Sequence, residues 1–354
     1  MALDVLRDTW EKLGGVDPLW AVLTDPGRRD GRWDVEEFMR TGPEAVGQVR
    51  TLLGERTLGS RVLDFGCGVG RLSNALAAHA DRVVGVDIAS TMVARARELN
   101  RHPDRVEFVH YDGRLLPFED ASFDGALSLI VLQHARPWVQ IGALLELLRV
   151  VRPGGTLVVQ IPSARRAPAP MPEEAYRADI EVLEAPSALG VGQSALVRAR
   201  VTNLSEHPWP GTKTIKLGNH WRSGGEVVQL DDGRVGLPAM VAPGESFEVG
   251  VPVTAPRAGE LVLELDLVHE MVTWWESEGG TPARVPITVT ASPAPPSEVT
   301  PAGEAHPGEQ IEMHALHTEF VQALFGHCGA EVVAAVPDEA AGEEWESFTY
   351  VVSR

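Results

Sequence analysis

At 354 residues the chain is long enough for two or three domains with sizeable cores. Its 44% hydrophobic content is that of an ordinary globular protein, and a formal net charge of −19 excludes a general nucleic-acid binder and disfavours docking on anionic membranes. The two cysteines offer neither a disulfide framework nor a metal-type spacing. The start, Met1-Ala2-Leu3-Asp4, lacks the basic head and apolar core of a signal peptide, and no apolar run reaches bilayer-spanning length. No membrane insertion is expected, and the cytoplasm is the expected address.

Residues 1–60 read as helical, with an opening pattern around Val5, Trp10 and Leu13. The stretch from Trp33 to Thr41 predicts a helix ended by Gly42, with a second helix from Pro43 to Leu53. Trp33 and Phe38, aromatics at helical spacing, suit a core.

From Arg61 the pattern alternates strand and helix, as in a parallel sheet wrapped by helices. Val62 and Leu63 run into Asp64 and a glycine-rich turn, Gly66-Cys67-Gly68-Val69-Gly70. Glycines there let the backbone fold tightly and a ligand approach it. In a dinucleotide fingerprint the third glycine would fall at position 71, which is Arg71; here it comes at Gly70. Asp64 would repel a pyrophosphate and attract a cation. S-adenosylmethionine, with an ammonium, a sulfonium and no phosphate, fits both features. The second strand, Arg82–Asp87, ends in an acid 21 positions after Gly66, close to the ~20-residue offset at which a carboxylate meets ribose hydroxyls.

The stretch Arg61–Arg71 resembles the first motif of class I S-adenosylmethionine-dependent methyltransferases. The resemblance implies a Rossmann-like α/β sheet, mostly parallel with a reversed last hairpin. It implies S-adenosylmethionine as cofactor, S-adenosylhomocysteine as product, and a helical lid over 1–60 in which Trp33 and Phe38 roof the methionine moiety. It places Asp112, after the third strand Val106–Val109, on the adenine amino group, with Gly113 leaving room for the ring and Ile88 on its face. Asp112 also suits an ordinary Asp-Gly turn.

The fourth strand, Gly125–Leu132, leads to Gln133-His134, and a helix from Trp138 stops at Arg152-Pro153-Gly154-Gly155 before the fifth strand, Thr156–Ile161. At Pro162 the family pattern breaks. Residues 162–172 read as a Pro/Ala linker and 292–305 as a second. Between them, 173–291 shows short alternating runs with turn signals, the texture of an all-β sandwich. Val201-Thr202-Asn203, Trp209-Pro210 and Ala242-Pro243-Gly244-Glu245 resemble immunoglobulin-like modules of bacterial carbohydrate-handling enzymes. A helix pattern from about Met313 to Cys328 and two strands then complete the sheet over 306–354, so the domain of 1–161 is interrupted by an insertion.

Methyl transfer needs an aligned nucleophile, excluded water and, for a hydroxyl, a proton acceptor. His134, with an ordinary pKa of ~6.5, is the candidate base, or else a residue that caps its loop. Trp275 beside Trp274 is the insertion's candidate for stacking on a sugar, or else core. His314 and His317 share a helix face at i,i+3 but have no legible third ligand, so no metal is expected. The expected reaction is O-methylation of a sugar hydroxyl on a polysaccharide or glycoconjugate precursor, with a small-molecule O- or N-methyltransferase as the alternative. A non-catalytic glycan- or protein-binding protein on the same scaffold is the reading of another class. The acceptor is a small molecule or a glycan, and a dimer is open.

Overall fold

The computed structural model describes residues 2–211, 214–230, 232–237, 240–291 and 311–354. They fall into two compact units, one drawn from 1–166 and 304–354, the other from 167–303. The predicted linker 292–305 lies outside the described residues.

The first unit opens with α1 (Ala2–Val16), α2 (Pro18–Val22) and α3 (Val35–Leu53). Five strands follow, with a helix after each of β1, β2 and β4: β1 (Arg61–Phe65), α4 (Arg71–Leu76), β2 (Arg82–Asp87), α5 (Ser90–Glu98), β3 (Val106–His110), β4 (Phe123–Ser128), α6 (Pro137–Val150) and β5 (Val151–Arg165). The sheet is closed out by two later strands, Glu331–Asp338 and Trp345–Ser353, in the order β3-β2-β1-β4-β5, then the last strand, then the penultimate one. The last strand alone runs against the others: it is antiparallel to β5, and the penultimate strand is antiparallel to it. This is the Rossmann-like sheet, mostly parallel with a reversed last hairpin, that the resemblance implies.

Side chains on a strand alternate between faces, and the sheet uses that period to build two cores. Leu63, Phe65, Val84, Val86, Leu157 and Val159 face α6 and the helix Thr318–His327. Val62, Val83 and Val158 face α3, α4 and α5. Chain order leaves β1 in one direction towards β3 and returns on the other side at β4. The crevice at the strand ends beside such a switch is where ligands of these sheets bind.

Three sequence expectations change. The helix predicted to stop at Gly42 continues through Pro43 as α3. Phe38, Met39, Val46 and Val49 form one buried face across the break, and their packing outweighs the missing proline hydrogen bond. Gly42 is there for closeness: a Cβ would stand 2.5 Å from the Arg71 carbonyl oxygen. The linker does not begin at Pro162, because β5 continues to Arg165 against the last strand, with Ser347 opposite Pro162. Its β4 pairing ends at Val159, so the proline costs no ladder bond on that side. Residues 311–317 are not helical. Leu316 N donates to Pro162 O and His314 N to Gln133 O, so His314 and His317 share no helix face.

The second unit is all β: β6 (Ala178–Glu184), β7 (Ala188–Gly190), β8 (Ser194–Asn203), β9 (Ile215–Ser223), β10 (Glu226–Leu230), β11 (Val235–Gly236), β12 (Ser246–Thr254), β13 (Gly259–His269), β14 (Thr273–Trp274) and β15 (Ala283–Thr290). With these, the two strands of 331–338 and 345–353 become β16 and β17. One sheet runs β12-β8-β6; the other runs β10-β9-β13-β15-β7, with β11 on β9 and β14 on β13. Residues of both share one core, in which Trp209 and Trp275 meet edge to face at 4.6 Å. Trp275 is 1% exposed, so it is a core residue and presents no ring to a sugar. No helix among the described residues is long and apolar enough to cross a membrane.

The close approach of α3 to α4 is testable. Gly42→Ala forces overpacking against main chain and should destabilise the protein by about 1–3 kcal/mol in urea denaturation. An unchanged midpoint would mean the helices have room to separate.

Candidate active site

The turn after β1 is held to the end of β2 by main chain and by one carboxylate. Gly66 N and Cys67 N donate to Val86 O at 2.8 and 2.9 Å. Gly68 N donates to Asp87 Oδ2 and Ala89 N to Asp87 Oδ1, both at 2.9 Å. Gly66 and Gly68 take φ of 74° and 52°, and a Cβ on Gly66 would strike Val131 at 2.3 Å. Beside this turn opens a cleft whose empty volume, open solvent included, is about 960 Å³. Its floor is Phe65, Gly66, Cys67 and Gly68 with Asp87, Ile88, Tyr111 and Gly113. Leu129 to Leu132, after β4, and Ala135, Val139 and Ala143, at α6, form a side wall.

The N-terminal helices cover the cleft. Leu3, Leu6 and Trp10 come from one face of α1, and Ala21 and Val22 from α2. Glu11 latches the cover: its carboxylate accepts Ser90 N at 2.6 Å and Thr91 N at 3.0 Å. Burial works against this charge, but the two amides hold the Glu11 pKa below its ordinary value.

Of the residues expected from sequence, Gly66, Gly68, Asp87, Ile88 and Gly113 line the cleft. Asp64, Gly70 and Asp112 do not. Asp64 shares the strand face of Val62, turned towards α4, where Ser73 Oγ donates to its Oδ2 at 2.5 Å. Burial pushes its pKa up to about 6, against the Ser73 bond and the Arg71 charge. Gly70 caps α4 at φ 82°, with the Phe108 ring 2.5 Å from where its Cβ would be. Asp112 is exposed, and its Oδ1 accepts Arg114 N at 2.9 Å, the turn geometry its Asp-Gly pair also suited. Trp33 and Phe38 pack on each other at 5.6 Å in the core beneath the cover. A lid exists over 1–60, but its cleft-facing residues are those of α1 and α2.

His134 is not on the cleft wall. It ends the short turn Leu132–His134. Its Nδ1 donates to Glu312 O at 3.3 Å, Gln133 Nε2 donates to its Nε2 at 3.3 Å, and its ring meets Trp10 at 5.2 Å. Burial lowers its pKa to about 4, with the Glu312 bond opposing and the His314 charge adding. Held this way the ring braces the wall after β4, the loop-capping role.

The structure adds residues the sequence reading missed. Arg71 lines the cleft although it is 5% exposed; its Nη1 donates to Thr41 O, and its buried Nε has no partner among the described residues. Ile130, on the wall, sits at φ 62°, a strain of about 1–3 kcal/mol for a β-branched residue. Its N–H donates to Gln160 Oε1 at 3.0 Å, and Gln160 Nε2 donates to Ser347 Oγ at 2.6 Å. Gln160 was visible in sequence as the one polar residue in the apolar run Leu157–Ile161.

Residues 63–159, which hold the turn, Asp87 and the wall after β4, match the family model described as a methyltransferase domain. Residues 63–159 of the first unit thus carry a methyltransferase domain. The demethylmenaquinone methyltransferase of Clavibacter sepedonicus is 35% identical over 157 residues, 44% of this chain and 62% of that protein. The 24-methylenesterol C-methyltransferase 2 of Oryza sativa subsp. japonica is 45% identical over 104 residues, 28% of each. The chain thus spans less than two thirds of the length of these curated relatives. Among solved structures, a SAM-bound amino pentose methyltransferase from Micromonospora echinaspora aligns over 89% of this chain and 91% of its own, at 15% identity and a TM-score of 0.37. S-adenosylmethionine is the cofactor of such domains, and the methyltransferase cleft fits it. The cleft carries an acceptor, the Asp87 carboxylate, and a donor without a partner among the described residues, Arg71 Nε, the kinds of group such a ligand needs.

The His134 assignment predicts a pH dependence. Its folded pKa lies below its unfolded value, so the unfolded state takes the proton first, and the stability it contributes is present above about pH 6.5 and lost towards pH 4. Urea midpoints at pH 7 and pH 5 should therefore fall further for the wild type than for His134→Gln. Equal falls would show that the ring titrates as if exposed.

Proposed function

We propose that the protein transfers a methyl group from S-adenosylmethionine to a small-molecule acceptor. The observation that carries the reading is Asp87, buried at the end of β2, its carboxylate fixed by Gly68 N and Ala89 N at the cleft floor. When bound, the cofactor supplies a methyl group already activated by its sulfonium. Asp87 then receives the ribose hydroxyls, Ile88 and Gly113 border the adenine, Arg71 balances the methionine carboxylate, and α1 with α2 excludes water. Asp112 remains the proposed adenine acceptor only through its place after β3.

The sugar-hydroxyl reading rested on His134 as base and on the tryptophans of the insertion. With His134 off the cleft and Trp275 buried, the small-molecule O- or N-methyltransferase reading is the better supported. The second unit is read as an immunoglobulin-like sandwich on the strength of its two sheets and shared core. A non-catalytic scaffold remains the rival class.

Calorimetry with S-adenosylhomocysteine tests the cofactor assignment. The wild type should bind it, and Asp87→Ala should weaken binding by about tenfold or more, ~1.4 kcal/mol. Undiminished binding by the variant would remove Asp87 from the site, and absence of binding by the wild type would favour the scaffold reading.

A further inference from the structure

We propose that the methyl acceptor is an apolar, ring-bearing small molecule held against the wall between β4, α6 and α1. The inference rests on the methyltransferase reading above and names the substrate class of that same cleft.

The charged and hydroxyl-bearing side chains of the cleft are gathered on one side. Asp87 ends β2, Tyr111 follows β3 and Arg71 begins α4, the side the cofactor reading uses. The opposite side is built by other elements and carries another chemistry. Ile130 and Leu132 follow β4, Val139 and Ala143 come from α6, and Leu6 and Trp10 from α1. Each helix contributes residues four apart, so each presents one continuous apolar face. Among the described lining residues, this wall has no hydroxyl, amide or charged side chain.

A sugar entering there would exchange water for aliphatic carbon at most of its hydroxyls, the Trp10 indole N–H being the one side-chain hydrogen-bonding group among the described residues named for this wall. An apolar ring would gain from the same burial and find the face or edge of Trp10. The wall's shape is also fixed in advance. Trp10 is held edge-on by the His134 ring at 5.2 Å, and Ile130 is kept in its strained conformation by Gln160. Ala143 leaves space on the α6 face where a larger side chain would fill the cleft.

Calorimetry on the full chain saturated with S-adenosylhomocysteine tests this, with 2-naphthol and methyl β-glucoside as probes. Naphthol should bind at least about tenfold more tightly than the glucoside. Ala143→Trp should abolish naphthol binding while S-adenosylhomocysteine affinity stays within about two-fold of wild type. Val139→Thr, nearly isosteric, should weaken naphthol several-fold if the bulkier variant does not fold. Tighter binding of the glucoside, no naphthol binding, or naphthol binding indifferent to both substitutions would each overturn the acceptor class with the cofactor reading intact. Loss of S-adenosylhomocysteine binding by the wild type would instead overturn the reading beneath it.

Discussion

The Asp87 carboxylate is the constraint on which the site depends. It joins the turn after β1, through Gly68 N, to the entry of α5, through Ala89 N, beside the main-chain bonds of Gly66 N and Cys67 N to Val86 O. Burial raises its pKa, and the two amides work in the opposite direction. The next two amides of α5, Ser90 and Thr91, are taken by Glu11 from α1. Three successive donors at one helix start are thus satisfied by two acids, a use of the positive end of a helix that needs no capping side chain of its own. Through Asp87 and Glu11 the floor of the cleft and its cover share one support.

The sheet that positions this support is completed only after a long detour in the chain. β17 pairs with β5 along its length and lies between it and β16. Ser347 on β17 orients Gln160, and Gln160 holds Ile130 in the wall. The segment that returns to the sheet also lies against the wall, with His314 N on Gln133 O and Glu312 O on His134. The cleft therefore depends on residues from both ends of the first unit's sequence.

The glycine turn, Asp87 and the order of the parallel strands were legible because each is written locally, in a periodicity or a fixed offset. What was not legible depended on which way a side chain turns. Asp64 stands beside the turn in sequence, but the strand's alternation sends it under α4. Trp33, Phe38 and Trp275 suited a core as aromatics and lie in one, but nothing in the sequence marked the modest Leu3 and Leu6 that reach the cleft. His134 comes at the right place along the chain, and a single tight turn points it at Glu312 and Trp10. Gly42 and Pro43 look like a stop, and only the Arg71 carbonyl on the other helix shows why the glycine is there.

The most direct test of this account is amide hydrogen exchange with and without S-adenosylhomocysteine. Slower exchange is predicted at residues 66–68, at 89–91 and along α1, because the ligand would stabilise the turn, the α5 entry and the cover as one linked structure. Protection confined to residues 167–303, or a bound state in which 66–68 and 89–91 exchange as before, would contradict it.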